Sequence, residues 1–144
     1  MTNKLGLNIN TCESSEEATE NTDIISLITN STTPVIFDNQ IKRGVHINAA
    51  GGNSWLRSEL SSDSMKNFDF ISCDDIEQAK TECKELMEAT EKGIISWNNV
   101  HQLSSVINGQ ITGRKNSKEI TLYESLGIAI QDIAAAKFIY DQLK

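Results

Sequence analysis

Two adjacent glycines and an asparagine follow a short apolar stretch and form the strongest candidate for a ligand-binding loop. The stretch is RGVHINAAGGNSW, residues 43–55. Adjacent glycines let a backbone pass close to a ligand, and Asn48 and Asn53 each offer hydrogen-bond donors and acceptors. A glycine turn without a ligand is the alternative. Spacing alone leaves the two interpretations even.

The other titratable residues are weaker candidates for catalysis. We interpret His46 as a partly buried structural residue of a strand and predict His101 on an exposed polar helix. Asp74, Asp75 and the Glu-Lys run after them have the spacing of a solvated helix face with charges at the helix end. No metal site is therefore predicted.

Composition restricts the classes of protein that need to be considered. The 144 residues are 38% hydrophobic, which fits one globular domain with a core. Twenty acidic residues against 13 dispersed basic ones give a net charge of −7, which disfavours a nucleic-acid surface. No apolar run is long enough to cross a membrane, and the start MTNKLGLN does not resemble a signal peptide, so a cytoplasmic protein without membrane contacts is expected. The three cysteines form no C-x-x-C pair and predict free thiols: Cys12, Cys73 and Cys83.

Strand-like and helix-like segments alternate along the chain. We predict strands at residues 7–12, 23–29, 35–37, 45–50, 68–74 and 120–125. We predict helices at residues 14–21, 61–67, 75–93, 99–110 and 127–143, the first with a capping box from Ser14 and Glu17. This alternation predicts an α/β fold with a mostly parallel sheet. Ligands of such folds bind beyond the carboxyl ends of the strands, where AAGGN lies.

Five motifs together resemble the C-terminal half of the ornithine cyclodeaminase/mu-crystallin family. They are DIISLITNSTTPVI, RGVHINAAGGN, RSEL, GR at 113–114 and EITLYESLGIAIQDIAAAKFIY. The resemblance implies a partial Rossmann-like sheet with a C-terminal helix and with the first βαβ unit missing, in keeping with the lack of a G-x-G-x-x-G pattern. Residues 1–112 would be the second half of an NAD(P)-binding domain. Residues 113–144 would be a tail and helix that pack towards the substrate and dimerisation domain.

The resemblance also implies a set of site residues. Those beside NAD or NADP are Thr29, Ala50, Gly51, Gly52, Asn53, Arg57 and Ser125, and the residue beside the substrate is Leu126. Asn53 stands where the cyclodeaminases have the aspartate that acts as general acid/base, and an amide cannot replace a carboxylate in that role. Four of these residues also have an interpretation that needs no ligand: a turn at Thr29, a solvated Arg57, a helix cap at Ser125 and core packing of Leu126.

The function implied is that of a truncated ornithine cyclodeaminase-like protein, inactive alone, whose ancestral reaction is NAD-dependent conversion of ornithine to proline with release of ammonia. One alternative is a subunit of a split NAD(P)-dependent amino-acid dehydrogenase or ketimine reductase, completed by a second chain that supplies the N-terminal half or by a homo-oligomer. Another is a non-enzymatic NAD(P)-related binding module. An unpaired edge strand at residues 7–12 would make the chain marginally stable or self-associating.

Overall fold

Five parallel strands form one sheet in the computed structural model, which describes residues 2–143. The strands are β1 (Ile24–Leu27), β2 (His46–Ala49), β3 (Phe70–Cys73), β4 (Val100–Gln102) and β5 (Thr121–Glu124). Their order across the sheet is β1-β2-β5-β3-β4, so the last strand of the chain lies in the middle. The α/β fold with a parallel sheet and a C-terminal helix is confirmed.

Six α-helices and three 3-10 turns connect and cover the strands in the described part of the chain. The helices are α1 (Thr2–Leu5), α2 (Ser15–Thr19), α3 (Ile76–Glu82), α4 (Lys84–Glu91), α5 (Leu103–Ile107) and α6 (Ala129–Gln142). The 3-10 turns are Asp38–Gln40, Ser62–Asn67 and Trp97–Asn99. Ser14 caps α2 by accepting from Glu17 N at 3.2 Å, and Asp75 caps α3 by accepting from Gln78 N at 2.8 Å. Each cap satisfies a backbone N–H that has no partner within its helix.

The core lies on one face of the sheet, against α3, α4 and the Ser62–Asn67 turn. Alternate strand residues face it, and Ile47 and Leu122 are fully buried among Cys83 and Leu86 of the helical layer. The intervening residues of β1 and β2 lie on the opposite, more open face.

Several predicted elements differ from the structure. Residues 7–12 form no strand, because alternation of residue types does not supply a neighbouring backbone; the edge strands of the sheet are β1 and β4. Residues 35–37 contribute one isolated bridge, between Ile36 and Leu60. The predicted helix 75–93 is divided at Cys83 into α3 and α4. The predicted helix 99–110 is instead β4 followed by α5.

His101 also differs from its prediction. It lies in β4, paired in register with Ser72, and its ring stacks on Phe70 with the centroids 4.8 Å apart. His101 is therefore a half-buried strand residue and not an exposed residue of a helix. The sequence VHQ is too short to show strand periodicity, so the pairing with β3 decides its structure.

The final helix, α6, presents an unusual amount of apolar surface. Its exposed side chains include Ile130, Ile133, Phe138 and Ile139, each more than half accessible. No helix within residues 2–143 is long and apolar enough to cross a bilayer.

Candidate functional site at the carboxyl edge of the sheet

Three strands end side by side and bring the predicted binding loops together. Leu27, Ala49 and Glu124, the last residues of β1, β2 and β5, are aligned by the strand register. The loops that follow continue this pairing, because Ala50 N donates to Leu27 O at 2.9 Å and Ser125 N donates to Ala49 O at 2.8 Å. We call residues 28–29, 50–53 and 125–127 the carboxyl edge. It contains seven of the eight residues predicted for the site; Arg57 lies just beyond it.

Glu59 joins two of these loops from below. Its carboxylate accepts from Thr29 N at 2.5 Å and from Gly51 N at 2.7 Å, and the residue is fully buried. Hydrogen bonds to an ionised acceptor are stronger than neutral ones, so one side chain fixes the separation of the loops after β1 and β2. Glu59 belongs to the RSEL motif, and the sequence alone indicates no role for it.

The glycines at 51 and 52 meet different surroundings. A Cβ on Gly51 would overlap the Thr29 carbonyl oxygen and lie 2.5 Å from Oε1 of Glu59. A Cβ on Gly52 would lie 3.5 Å from its nearest neighbour, Oε2 of Glu85, which is an ordinary contact. The close approach of the two loops therefore accounts for glycine at position 51.

A second buried carboxylate lies under the first. Glu85 Oε1 accepts from the backbone N–H groups of Glu59 and Leu60, the latter at 2.7 Å. Burial raises the pKa of Glu85 above its ordinary value, against the lowering effect of these backbone donors. Its assignment to a solvated helix face was wrong. The backbone N–H groups that it binds lie some 25 residues away in sequence, where helix periodicity gives no information.

Asp74 anchors the third loop of the carboxyl edge. Its Oδ2 accepts from Leu126 N and Gly127 N, both at 2.9 Å, and from Ser125 Oγ at 3.3 Å. Asp74 is buried, so its assignment to a solvated face was also wrong. Ser125 is bonded to Asp74, and the residue at the N-cap position of α6 is Ile128. Leu126 packs in the hydrophobic core with 4% exposure.

Asp74 also connects this loop to β5 and α6. The Tyr123 hydroxyl donates to Oδ1, and Gln131 Nε2 donates to the same oxygen at 3.0 Å. Partial burial, together with the bond to Asp74, raises the pKa of the Tyr123 hydroxyl. The direction in which α6 leaves the sheet is thus linked to one carboxylate.

Asn53 and Arg57 lie together at the outer rim. Arg57 Nη1 donates to Asn53 Oδ1 at 3.1 Å, and Asn53 is exposed. The exposed Trp55 and Leu56 between them line a cavity of about 570 Å³ whose other wall includes Met87 of α4.

The two residues of β2 that the sequence singled out face away from this site. His46 Nδ1 is 2.7 Å from Thr121 Oγ1, and its Nε2 is 3.1 Å from Asn48 Oδ1. Asn48 Nδ2 also donates to Ser26 Oγ at 3.3 Å. His46 is half-buried with both ring nitrogens partnered, which agrees with a structural role. Asn48 lies on the open sheet face, apart from Asn53.

The whole chain, residues 1–144, matches the model of the ornithine cyclodeaminase/mu-crystallin family. The sequence is 36% identical over 142 residues to an ornithine cyclodeaminase of Brucella abortus, covering 96% of this chain and 37% of that protein. The fold is similar to that of a Thermococcus litoralis Δ1-pyrroline-2-carboxylate reductase in complex with NADH and L-proline, with TM-score 0.90, 33% identity and coverage of 97% of this chain and 43% of that one. It is also similar to an archaeal alanine dehydrogenase dimer with bound NAD, with TM-score 0.80, 36% identity and coverage of 90% and 40%. The chain thus spans about two-fifths of the length of these relatives.

Proposed function

Because the chain belongs to the ornithine cyclodeaminase/mu-crystallin family, we propose that its carboxyl edge forms the nicotinamide side of an NAD(P)(H) site. The observation that carries this proposal is the Glu59 carboxylate, which ties Thr29 to Gly51 and so sets the two loops that would border the nicotinamide. The exposed hydroxyl of Thr29 and the exposed amide of Asn53 offer polar groups for a carboxamide. The reductase and the alanine dehydrogenase of similar fold were solved with NADH and NAD, respectively, which supports the choice of cofactor.

The proposed chemistry is that of amino-acid metabolism. Bound at the carboxyl edge, NAD(P) would supply hydride transfer at the carbon that carries the amine. In the cyclodeaminase reaction, ornithine becomes proline and ammonia leaves, which requires a group that moves protons. Leu126 would lie beside the substrate, and Asn53 would hold the position of the acid/base group.

Asn53 favours a second candidate, an amino-acid dehydrogenase or ketimine reductase. Its amide does not ionise, and its oxygen already accepts from Arg57. Hydride transfer between an imine and an amine makes a smaller demand on this position than cyclisation with loss of ammonia.

We further propose that the chain is inactive alone and that a second chain, or another copy of this one, completes the substrate site. The exposed apolar side chains of α6, which a further chain would cover, support this proposal. A non-enzymatic module that binds NAD(P) is the remaining alternative.

The cofactor proposal is tested with half-cofactors on the isolated chain. Reduced nicotinamide mononucleotide should shift the amide NMR signals of Thr29, Gly51–Asn53 and Ser125, whereas AMP should not. Asn53→Trp should abolish these shifts, and Asn98→Trp, at an exposed site before β4, should leave them unchanged. Equal responses to the two mononucleotides, or shifts confined to other residues, would overturn the proposal.

The reaction is tested in a chimera in which residues 2–143 replace the matching segment of the Brucella ornithine cyclodeaminase. With Asn53 the chimera should exchange hydride with an amino or imino acid but release little ammonia from ornithine. Asn53→Asp should raise ammonia release by ~10²–10⁴, the usual contribution of a general acid/base. Equal ammonia release by the two chimeras would refute the role assigned to position 53.

A further inference from the structure

Three glutamates and a thiol meet beneath Gly51 and Gly52. Glu59 and Glu124 are 0% exposed, Glu85 is 1% exposed, and Cys83 is 0% exposed. One ligand-type atom from each of Cys83, Glu85 and Glu124 lies within 4.8 Å of the others. We call these four residues the glutamate cluster.

The hydrogen bonds of the glutamate cluster are unevenly distributed. Both oxygens of Glu59 and one oxygen of Glu85 accept from backbone N–H groups. Glu85 Oε2 and both oxygens of Glu124 have no such donor. None of the ion pairs formed by residues 2–143 includes one of these glutamates. Two unpaired carboxylates facing each other away from water would be strongly destabilising.

We propose that Glu124 carries a proton at neutral pH and donates it to Oε2 of Glu85, closing the glutamate cluster with a single O–H···O hydrogen bond. Glu85 retains its charge because two backbone N–H groups stabilise it. Glu124 has no backbone donor, so it is the member that takes the proton. The Cys83 thiol lies beside both carboxyl groups, with its Sγ within 4.8 Å of one oxygen of each.

Most of the surroundings of Glu124 favour its neutral form, whereas the nearby Cys83 thiol lowers its pKa. Burial raises its pKa well above the ordinary value, and the charges of Glu85 and Glu59 raise it further. Burial also keeps the neighbouring thiols protonated: the pKa of Cys73 is raised to about 12, and that of Cys83 well above its usual range.

The proton supports the carboxyl edge through two successive contacts. Glu85 holds the backbone of Glu59 and Leu60, and Glu59 holds Thr29 and Gly51. Loss of the proton would place the negative charge of Glu124 beside that of Glu85. The repulsion would weaken the contacts by which Glu85 and Glu59 hold these loops. An effect of this proton on cofactor binding rests on the proposed function. The presence of the proton on Glu124 does not.

The pH dependence follows from the direction of the shift. In the unfolded chain the pKa of Glu124 is near its ordinary value of 4.5, and the folded chain holds the proton to higher pH. The stabilisation is therefore complete below pH 4.5 and is lost as pH rises towards the folded pKa. One proton of difference lowers the folding equilibrium constant by about tenfold per pH unit in this window.

Urea unfolding of wild type and Glu124→Gln between pH 5 and 9 tests the proposal, because the glutamine amide donates to Glu85 as the protonated carboxyl does. The variant should gain stability relative to wild type as pH rises. The ratio of its folding equilibrium constant to that of wild type should increase by up to about tenfold per pH unit. Glu20→Gln, which removes an exposed carboxylate, should follow wild type. If the difference in unfolding free energy between wild type and Glu124→Gln does not change with pH, the proposal is overturned.

Two measurements on the wild-type chain do not depend on the folding of a variant. Infrared spectroscopy at pH 7 should show the carbonyl band of a protonated carboxyl, and absence of this band would overturn the proposal. Elemental analysis of the purified chain should find no stoichiometric metal. One metal ion per chain, whose removal by a chelator destabilises the fold, would assign Cys83, Glu85 and Glu124 to a metal site and would equally overturn it.

Discussion

Replacing Gly51 by alanine should destabilise the fold, whereas the same change at Gly52 should stabilise it slightly. The Cβ at position 51 would overlap the carbonyl oxygen of Thr29, a backbone atom that cannot rotate away. The loops after β1 and β2 would have to separate, and the bonds from Glu59 to Thr29 N and Gly51 N would be stretched or broken.

The expected magnitude follows from those bonds. A hydrogen bond to a charged group contributes about 1.5–3 kcal/mol, so loss of one with partial loss of the other destabilises Gly51→Ala by ~3 kcal/mol. In a domain of this size, that lowers Tm by roughly 10 °C. At Gly52, whose φ is not positive and whose Cβ would have ordinary contacts, alanine restricts the unfolded chain and stabilises the fold by about 0.4–1 kcal/mol.

Urea unfolding of both variants, with Tm from calorimetry, measures the difference directly. The two substitutions are adjacent, identical in chemistry and equal in volume, so each is the matched control for the other. Equal stabilities of Gly51→Ala and Gly52→Ala would refute the conclusion that the close approach to Thr29 requires glycine at position 51.

Three further outcomes are expected. Glu59→Gln should destabilise the fold by about 1.5–3 kcal/mol in urea unfolding. The amide oxygen can replace one of the two carboxylate acceptors, but the NH₂ group then faces a backbone N–H donor. An unchanged stability would contradict the role of Glu59 in joining the two loops. Asp74→Asn should accelerate amide hydrogen exchange in residues 125–127 more than in β1, whereas uniform acceleration would show only a general loss of stability. A thiol reagent at pH 8 should modify one cysteine of the native chain, the exposed Cys12, and all three in denaturant, because Cys73 and Cys83 are buried and hold their protons; rapid native labelling of three thiols would contradict the burial.

The sequence predicted the sheet better than its connections. Strand β1 was recognisable as an apolar run and β2, β3 and β5 as strand-like segments, because strands of a parallel sheet are covered by helices on at least one face. The run at 7–12 has similar alternation and no partner, and β4 has a partner but only three residues. Pairing with a neighbour decided both cases, and single-sequence periodicity contains no information about neighbours.

The residues of the carboxyl edge were identifiable from motifs, whereas the residues that support it were not. Thr29, Gly51 and Ser125 follow strands, and their placement on one edge follows from parallel topology. Glu85 and Asp74 occur in charged stretches where a carboxylate is ordinarily exposed. Their burial depends on backbone donors from segments distant in sequence, which only the folded chain brings to them.

The distribution of carboxylates around the carboxyl edge bears on the chemistry that it can perform. Glu59 and Asp74 are buried, with oxygens occupied by backbone donors that hold the loops. The exposed position at which the family resemblance places an acid/base group is instead Asn53. The acidic side chains thus stabilise the shape of the edge from beneath, while the rim offers an amide. In the proposed NAD(P)(H) site, this edge would orient the nicotinamide for hydride transfer, and any proton that the reaction moves at position 53 would need another group or solvent.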